Sequence, residues 1–507
     1  MGDAPHFRIG TRGSDLARWQ AHHVRDLIEA RGGTCDIHIL STQGDREQVQ
    51  AFEKLEGKGF FTKEIEQALL DHTVDLAVHS HKDLETRQPD GLTIAAVPPR
   101  AAAQDVLLVR KAAYAAQPWL PLPPGATVGT SSVRRRDQLL LLRPDLDIQA
   151  LRGNVPTRVD RLREGRYDAI VLAAAGLDRL ELDLDDLVRF DMNPRHFVPA
   201  PAQGALALQM RESDPKLEWL QALRDPQAAS DIESERAILR ALEGGCQLPF
   251  GAHVMRRGGL RAFLQTPDGP RRIVAPDATA ALAELQDPAP SPKRLITRAP
   301  KDDVLSRLAK ASGSSLTEWS PVKLTATGNS APEGPFARVW LTSPGAVRMA
   351  ETWLCDHPDV GIGVPGPGTA EALSSDQRSR LTFVGDGDPE SSWAAFLGTC
   401  TPGQRVAIPH STLSKRRWEA LPTEVDCIAW AAYDVSPAAT PPPEADVVCF
   451  TSPSSVAHWT GRQPQGVLAI GATTSAALTQ LGWPHTVAEH PDAFGLWEAM
   501  NQAEQDD

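Results

Sequence analysis

Phe7-Arg8-Ile9-Gly10 is a short strand pattern that runs into Thr11-Arg12-Gly13-Ser14, a polar end carrying a cation and two hydroxyls. Ala17, Ala21, Val24 and Ile28 follow at 4-3-4 spacing, the signature of one helical face, and Gly32-Gly33 stops the helix. The arrangement recurs downstream. Asp75-Leu76-Ala77-Val78-His79, Ala126-Thr127-Val128-Gly129, Asp147 to Leu151 and Asp168-Ala169-Ile170-Val171-Leu172 read as buried strands separated by helix-length segments. Such alternation predicts the α/β class, with parallel sheets covered by helices on both faces.

Working outward, 507 residues are too many for one hydrophobic core, so several domains are expected. An alanine- and proline-rich tract from Ala112 to Pro124 divides the first two hundred residues. A smaller segment, from Gly251 to about Gln286, carries a Pro267-Asp268-Gly269 turn. Asp287-Pro288-Ala289-Pro290-Ser291-Pro292 then forms a stiff linker. Beyond it the chain echoes itself. Leu341-Thr342-Ser343-Pro344 returns as Phe450-Thr451-Ser452-Pro453, and Gly366 to Leu373 returns as Gly471 to Leu478, as two similar α/β units would require.

Composition removes several classes of function. Hydrophobic residues make up 41% and charged residues 23%, and no apolar run is long enough to span a bilayer. Met1-Gly2-Asp3-Ala4-Pro5-His6 leads into the first strand with no basic and apolar leader, so a cytoplasmic protein is expected. Cys35, Cys246, Cys355, Cys400, Cys427 and Cys449 lie far apart. That spacing argues against a disulfide framework or a zinc site and for a reducing compartment. A net charge of −13 disfavours nucleic acid and anionic membranes, leaving an anionic small molecule if cations are concentrated locally.

The strand ends supply that concentration. In open parallel sheets ligands sit beyond the carboxyl ends of the strands. Here those ends carry Arg12 and Ser14; His79, Ser80, His81, Lys82 and Asp83; Thr130, Ser131 and Ser132 followed by Arg134-Arg135-Arg136; and Arg152-Gly153-Asn154 with Arg158. Arg134 and Arg135 fall in the first turn of a helix, where the macrodipole disfavours positive charge by about 0.3–1 kcal/mol each. An anionic ligand reverses that preference. Asp83 stands among these cations either as an ion-pair partner or as a carboxylate kept for positive charge that develops during a reaction. Cys246, in the loop Glu243-Gly244-Gly245-Cys246-Gln247-Leu248-Pro249, is open between a small core residue and an exposed thiol. His79 and His81 lack a third ligand at metal-binding spacing, so no metal is expected.

Together these residues resemble the hydroxymethylbilane synthase (porphobilinogen deaminase) family over about residues 7 to 285. The resemblance is carried by Thr11-Arg12-x-Ser14, Gly57-Lys58-Gly59-Phe60-Phe61-Thr62-Lys63-Glu64, His79-Ser80-x-Lys82-Asp83 and Gly129-Thr130-Ser131-Ser132-x-Arg134-Arg135. It continues through Leu151-Arg152-Gly153-Asn154-Val155-x-Thr157-Arg158, Ala175-Gly176-Leu177-x-Arg179-Leu180, Gln203-Gly204-Ala205 and the Cys246 loop. The resemblance implies a dipyrromethane primer on Cys246 and stepwise addition of four porphobilinogens, each losing ammonia. It implies that Asp83 stabilises the cationic pyrrole intermediate and that Arg12, Arg134, Arg135, Arg152, Arg158 and Arg179 pair with acetate and propionate groups. Ser14, Lys82, Ser132, Gln203 and Lys58 are implied as further contacts. The chain departs from the family pattern at Glu85, at Pro156 and in a third domain shortened after Leu285.

From about residue 293 the chain resembles the uroporphyrinogen-III synthase family. Leu295-Ile296-Thr297-Arg298, both Thr-Ser-Pro turns, Gly366-Pro367-Gly368-Thr369, Tyr433-Asp434-Val435 and Ile470-Gly471-Ala472-Thr473-Thr474 carry the likeness. It implies closure of hydroxymethylbilane with inversion of its last ring. Tyr433 would then lie near the departing hydroxyl, and Thr342, Ser343, Thr451, Ser452 and Thr473 would contact substrate. Tyr433 alone could equally be a packed residue, and Ile408-Pro409-His410-Ser411 replaces the family's glycine- and arginine-bearing loop. Gly361-x-Gly363-x-x-Gly366 mimics a dinucleotide fingerprint, but Pro365 and Pro367 crowd its turn.

The two likenesses imply periplasmic-binding-protein-like α/β domains at 1–100 with 200–218 and at 101–199, and a small α+β domain at 219–286 carrying the cysteine. After the linker at 287–292, synthase-type α/β domains are implied at 293–327 with 437–507 and at 328–436. The whole reads as a bifunctional monomer acting on small molecules in tetrapyrrole (porphyrin and haem) biosynthesis, a transferase followed by a lyase. The alternatives are a noncatalytic C-terminal half, or a solute receptor of the same two-lobed architecture.

Overall fold

The computed structural model describes residues 4–40, 62–115, 120–242, 248–256, 258–287, 293–298, 303–370, 372–417, 424–490 and 492–502. Lys58, Cys246 and most of the proline-rich linker lie outside the described residues. The chain divides into two compact units. One comprises 1–293, 301–316 and 490–498; the other comprises 294–300, 317–489 and 499–507.

The first unit holds three sheets. One is ordered Thr34–Leu40, His6–Arg12, Leu76–Ser80, Leu206–Arg211, Leu92–Ala96. A second is ordered Asp147–Gln149, Thr127–Gly129, Ala169–Ala173, Asp105–Arg110, Leu187–Asp191. The expectation of wholly parallel sheets needs correction. Leu206–Arg211 and Asp105–Arg110 each run antiparallel to both neighbours. These are the two strands the chain enters after crossing from the other sheet. Leu206 starts opposite Ser80, and Asp105 starts opposite Ala173, where the neighbouring strands end. A strand that begins at the crossing end must run the opposite way.

The helix read at the chain's start spans Asp15–Ala30, capped by Ser14, whose Oγ accepts from the Ala17 amide (3.4 Å). Ala21, Val24 and Ile28 are fully buried against Phe7, Ile9, Leu76 and Leu208. Burying the Val24 and Ile28 side chains contributes about 1.5–3 kcal/mol each. Pro156 lies in the first turn of the helix Val155–Arg163, where its missing N–H costs no hydrogen bond. The third sheet is antiparallel, Phe250–Val254, Leu260–Thr266 and Gly269–Ala275, with a turn at Pro267-Asp268-Gly269. The helices Pro226–Ala241 and Ala278–Gln286 supply Ile238, Ala281 and Leu285 to its core.

In the second unit, Lys293–Ile296, Val447–Phe450, Gly466–Ala469 and Thr486–Val487 lie side by side in parallel. A six-stranded sheet runs Val322–Ala326, Asp426–Pro437, Arg405–Ser411, Arg338–Trp340, Gly361–Val364, Leu381–Val384, with only the first strand antiparallel. The internal echoes occupy equivalent places. Ser343 and Ser452 each follow a parallel strand and cap the next helix, accepting from Ala346 N (3.2 Å) and Ser455 N (3.1 Å). Gly363 is a packing glycine, since a Cβ there would collide with the Phe396 ring.

Candidate active site

The strand ends of the first unit carry their polar residues on capped turns. Ser14 and Asn154 cap the helices that follow them. Ser132 caps Val133–Leu142, accepting from Arg135 N (3.5 Å). Lys82 and Asp83 lie in the short turn His81–Asp83 directly after Leu76–Ser80, with Asp83 exposed.

At the centre is a residue that the sequence reading missed. Asp105, fully buried at the start of a crossing strand, receives Arg134 Nη1 on Oδ2 (2.8 Å). Its Oδ1 receives Arg135 Nε (3.0 Å), Arg135 Nη2 (2.7 Å) and Gln203 Nε2 (3.0 Å). Lys82 Nζ donates in turn to Gln203 Oε1 (3.3 Å). One carboxylate thus organises Lys82, Arg134, Arg135 and Gln203. Burial alone would raise the Asp105 carboxyl, but the guanidinium groups of Arg134 and then Arg135 hold it well below the usual carboxylate range. The signal was present in the sequence. Asp105 heads Val106-Leu107-Leu108-Val109, and a lone acid opening an apolar strand needs a buried cation. Asp105 also answers the first-turn argument for Arg134 and Arg135, whose charge has a protein partner across the sheet.

The remaining cations gather around this network. Burial lowers Lys82 to about 8, with Asp83 opposing that shift and Arg135 adding to it. Burial lowers Arg158 to about 10, reinforced by Arg135 and opposed by Asp83, so Asp83 and Arg158 sense one another. Arg158 Nε donates to Gly153 O (2.7 Å). Burial also takes Arg179 to about 10; this side chain donates to Gly204 O (2.8 Å) and lies 5.5 Å over the Trp19 ring. Arg12 is half-buried and close enough to His79 to lower it further beyond the effect of burial. Arg152 is half-buried on the loop after Asp147–Gln149, and its carbonyl accepts from Arg161 (2.7 Å). This donor set fits a polycarboxylate. Several cations are depressed by burial and by one another, and an anion added among them relieves both effects.

In the second unit, Tyr433 is 5% exposed and its hydroxyl lies 3.2 Å from Ser343 Oγ. Burial raises its phenol, opposed by the hydroxyls of Ser343 and Thr342. Thr451 is tied to Thr297, donating from its amide to Thr297 Oγ1 (3.0 Å) and from Oγ1 to the Thr297 carbonyl (2.6 Å), and the two hydroxyls lie 3.5 Å apart. Thr473 is exposed in the first turn of Ala472–Gln480. Among the described residues no hydrogen bond joins Tyr433 to Thr451, Ser452 or Thr473.

Known families match the chain in consecutive blocks. Residues 7–219 match the family model "Porphobilinogen deaminase, dipyromethane cofactor binding domain", and residues 229–295 match "Porphobilinogen deaminase, C-terminal domain". Residues 323–498 match "Uroporphyrinogen-III synthase HemD". The porphobilinogen deaminase of Nitratidesulfovibrio vulgaris (strain DP4) is 47% identical over 258 residues, covering 50% of this chain and 80% of that protein. That of Thermus thermophilus is 47% identical over 268 residues, 52% of this chain and 85% of the relative. That of Phenylobacterium zucineum is 40% identical over 309 residues, 58% and 94% respectively. Among solved structures, a uroporphyrinogen-III synthetase from Helicobacter pylori aligns at TM-score 0.30 and 14% identity over 41% of this chain and 97% of that one. The chain belongs to the porphobilinogen deaminase family, and a uroporphyrinogen-III synthase domain follows in the same polypeptide, joining two enzymes of tetrapyrrole biosynthesis.

Proposed function

We propose that the first unit condenses four porphobilinogens into hydroxymethylbilane on a dipyrromethane primer held by a thioether to Cys246, and that the C-terminal domain closes the product to uroporphyrinogen III. The primer, when bound, would supply the pyrrole carbon to which the first unit is joined, and each later unit joins the one before it. Each step expels ammonia, forms one carbon–carbon bond and returns one pyrrole proton to solvent. Water releases the finished chain.

The residues divide this work by charge. Lys82, Arg134 and Arg135, with Ser14 and Ser132, hold the primer's carboxylates. Arg12, Arg152 and Arg158 serve both the primer and the incoming unit, whose carboxylates Arg179, Gln203 and Lys58 also receive. Asp83, exposed beside Lys82 and within the field of Arg158, faces positive charge that develops as ammonia leaves. In the synthase domain, Tyr433 and the turns at Thr342-Ser343, Thr451-Ser452 and Thr473 hold the bilane while its last ring inverts. The domain division is taken as 1–100 with 200–218, 101–199, 219–286, 293–327 with 437–507, and 328–436. The chain is taken to act as a cytoplasmic monomer on small-molecule substrates.

The observation that carries the reading is the charge imbalance at Asp105, where one carboxylate serves two guanidinium groups and, through Gln203, an ammonium. Intact mass of the purified protein tests it. Primer mass on the wild type that vanishes with turnover in Cys246→Ser supports the assignment. An unmodified Cys246 in active protein, or full turnover by the serine variant, ends it. Porphobilinogen fed to the full chain should give predominantly isomer III; isomer I alone would mean a noncatalytic C-terminal half.

A further inference from the structure

The segment 301–316 lies beyond the proline-rich linker, yet it belongs to the first unit. Its helix Val304–Ala311, capped by Asp303, packs against the helix Val133–Leu142 that carries Arg134 and Arg135. Arg307 donates from Nε to Leu141 O (2.9 Å) and from Nη2 to Leu142 O (3.1 Å), carbonyls in the last turn of Val133–Leu142. A cation there also complements the macrodipole of that helix. Ala311, 2% exposed, packs with Leu141, Val198 and Phe263. The Val198 carbonyl accepts from Arg134 Nη1 (2.7 Å) and from Gln138 Nε2 (2.9 Å). A continuous path therefore runs from the segment after the linker through Val198 and Arg134 to Asp105, and from there to Arg135, Gln203 and Lys82.

We infer that Arg307 is a positioning residue for the carboxylate-binding cations: it holds Val133–Leu142 from its C-terminal end so that Arg134 and Arg135 keep their register on Asp105. The residue touches neither substrate nor primer and acts through the helix. The deaminase site then depends on chain that follows its own family match, which ends at residue 295. This inference rests on the reading of Arg134 and Arg135 as carboxylate-binding residues.

The test uses the full chain, with porphobilinogen KM and kcat measured separately and hydrogen exchange followed in residues 133–142. Arg134 and Arg135 hold the primer that the incoming unit must meet, so charged hydrogen bonds lost at the helix end are expected to raise porphobilinogen KM about fivefold in Arg307→Ala, with kcat within about twofold. Exchange in that helix should quicken, Arg307→Lys should recover part of the loss, and Lys310→Ala, an exposed neighbour on the same helix, should match wild type. Should alanine prevent folding, Arg307→Met keeps the apolar stem without the donors and carries the same expectation. Arg135→Lys separates the two ideas. If it raises KM while the Arg307 variants leave KM unchanged, the inference alone falls. If it leaves KM unchanged, the underlying reading falls first.

Discussion

Replacing Asp105 by asparagine keeps the size of the side chain and removes the one negative charge that Arg134 and Arg135 share. Asp105 is fully buried, and both arginines are less than a tenth exposed. Removing one partner of a buried ion pair costs about 3–5 kcal/mol, because the remaining charge stays desolvated without compensation. An amide oxygen still accepts one hydrogen bond, so the lower end, about 3 kcal/mol, is expected. That is a sizeable part of the ~5–15 kcal/mol that typically separates folded from unfolded domains. The loss is local and is best read by hydrogen exchange in the helix Val133–Leu142 and the strand Ala169–Ala173, where Arg135 also holds the Val171 carbonyl (2.9 Å). About 3 kcal/mol corresponds to an opening constant raised by about two decades. The pH dependence carries a matching sign. Asp105 is held below the usual carboxylate range, so its stabilisation is complete above the unfolded value near 4 and is lost as pH falls toward the lower folded value. The Asp105→Asn variant lacks that acid-labile component. Exchange within about tenfold of wild type, together with an unchanged acid limb, would refute the claim that Asp105 organises this site.

Burial lowers Lys82 to about 8, and a primer carboxylate favours its charged form, so primer uptake by protein lacking the primer should be complete below that pH. Uptake should weaken by up to about tenfold per unit above it, and primer loading read by intact mass that is flat from about 7 to 9 would remove Lys82 from the primer-binding set. Gly204 adopts φ +87°, and a Cβ there would lie 2.6 Å from Ala101 O and 2.7 Å from Ala102 O. Gly204→Ala should therefore cost more than about 1 kcal/mol and lower Tm by at least about 3 °C, with an unshifted melting curve counting against the geometry. Tyr433→Phe removes the hydroxyl at Ser343, and loss of one such hydrogen bond predicts about a tenfold slower formation of isomer III with isomer I rising. An unaltered isomer ratio would leave Tyr433 as packing.

Much of the fold was legible because burial is periodic. Ala21, Val24 and Ile28 of the 17-21-24-28 face became buried in Asp15–Ala30, with Ala17 half-buried, and the Thr-Ser-Pro echoes became two serine-capped helices after parallel strands. Strand direction was less legible. Val106-Leu107-Leu108-Val109 reads as a buried strand either way, and its antiparallel course follows from where the chain crosses between sheets, a long-range fact that local pattern does not encode. The cations were visible at the strand ends, but their shared partner was not. Asp105 lies about thirty positions from Arg134 and Arg135 and almost a hundred from Gln203, and only the sheet brings them together.

The first unit contains a second buried acid whose contrast with Asp105 shows why ion pairing alone does not mark a site. Glu235, also fully buried, takes Arg100 bidentately (2.7 and 2.9 Å), accepts from the amides of Ala202 and Val254, and meets His253 at 3.0 Å. Burial would raise it, but Arg100 and then His253 bring it to about 2. There one acid meets one permanent cation, and backbone donors complete its shell, so the local charge closes within the protein. At Asp105 the same single charge is divided between two arginines, with Lys82 linked through a neutral amide and depressed by burial and, less, by Arg135. Asp83 offsets part of that positive charge at Lys82 and Arg158, and an anion added among such cations would stabilise them further. Charge balance therefore separates the two: the Glu235 cluster ties the helix Pro226–Ala241 to the strand Phe250–Val254 around one acid and one arginine, whereas at Asp105 two guanidinium groups share one carboxylate.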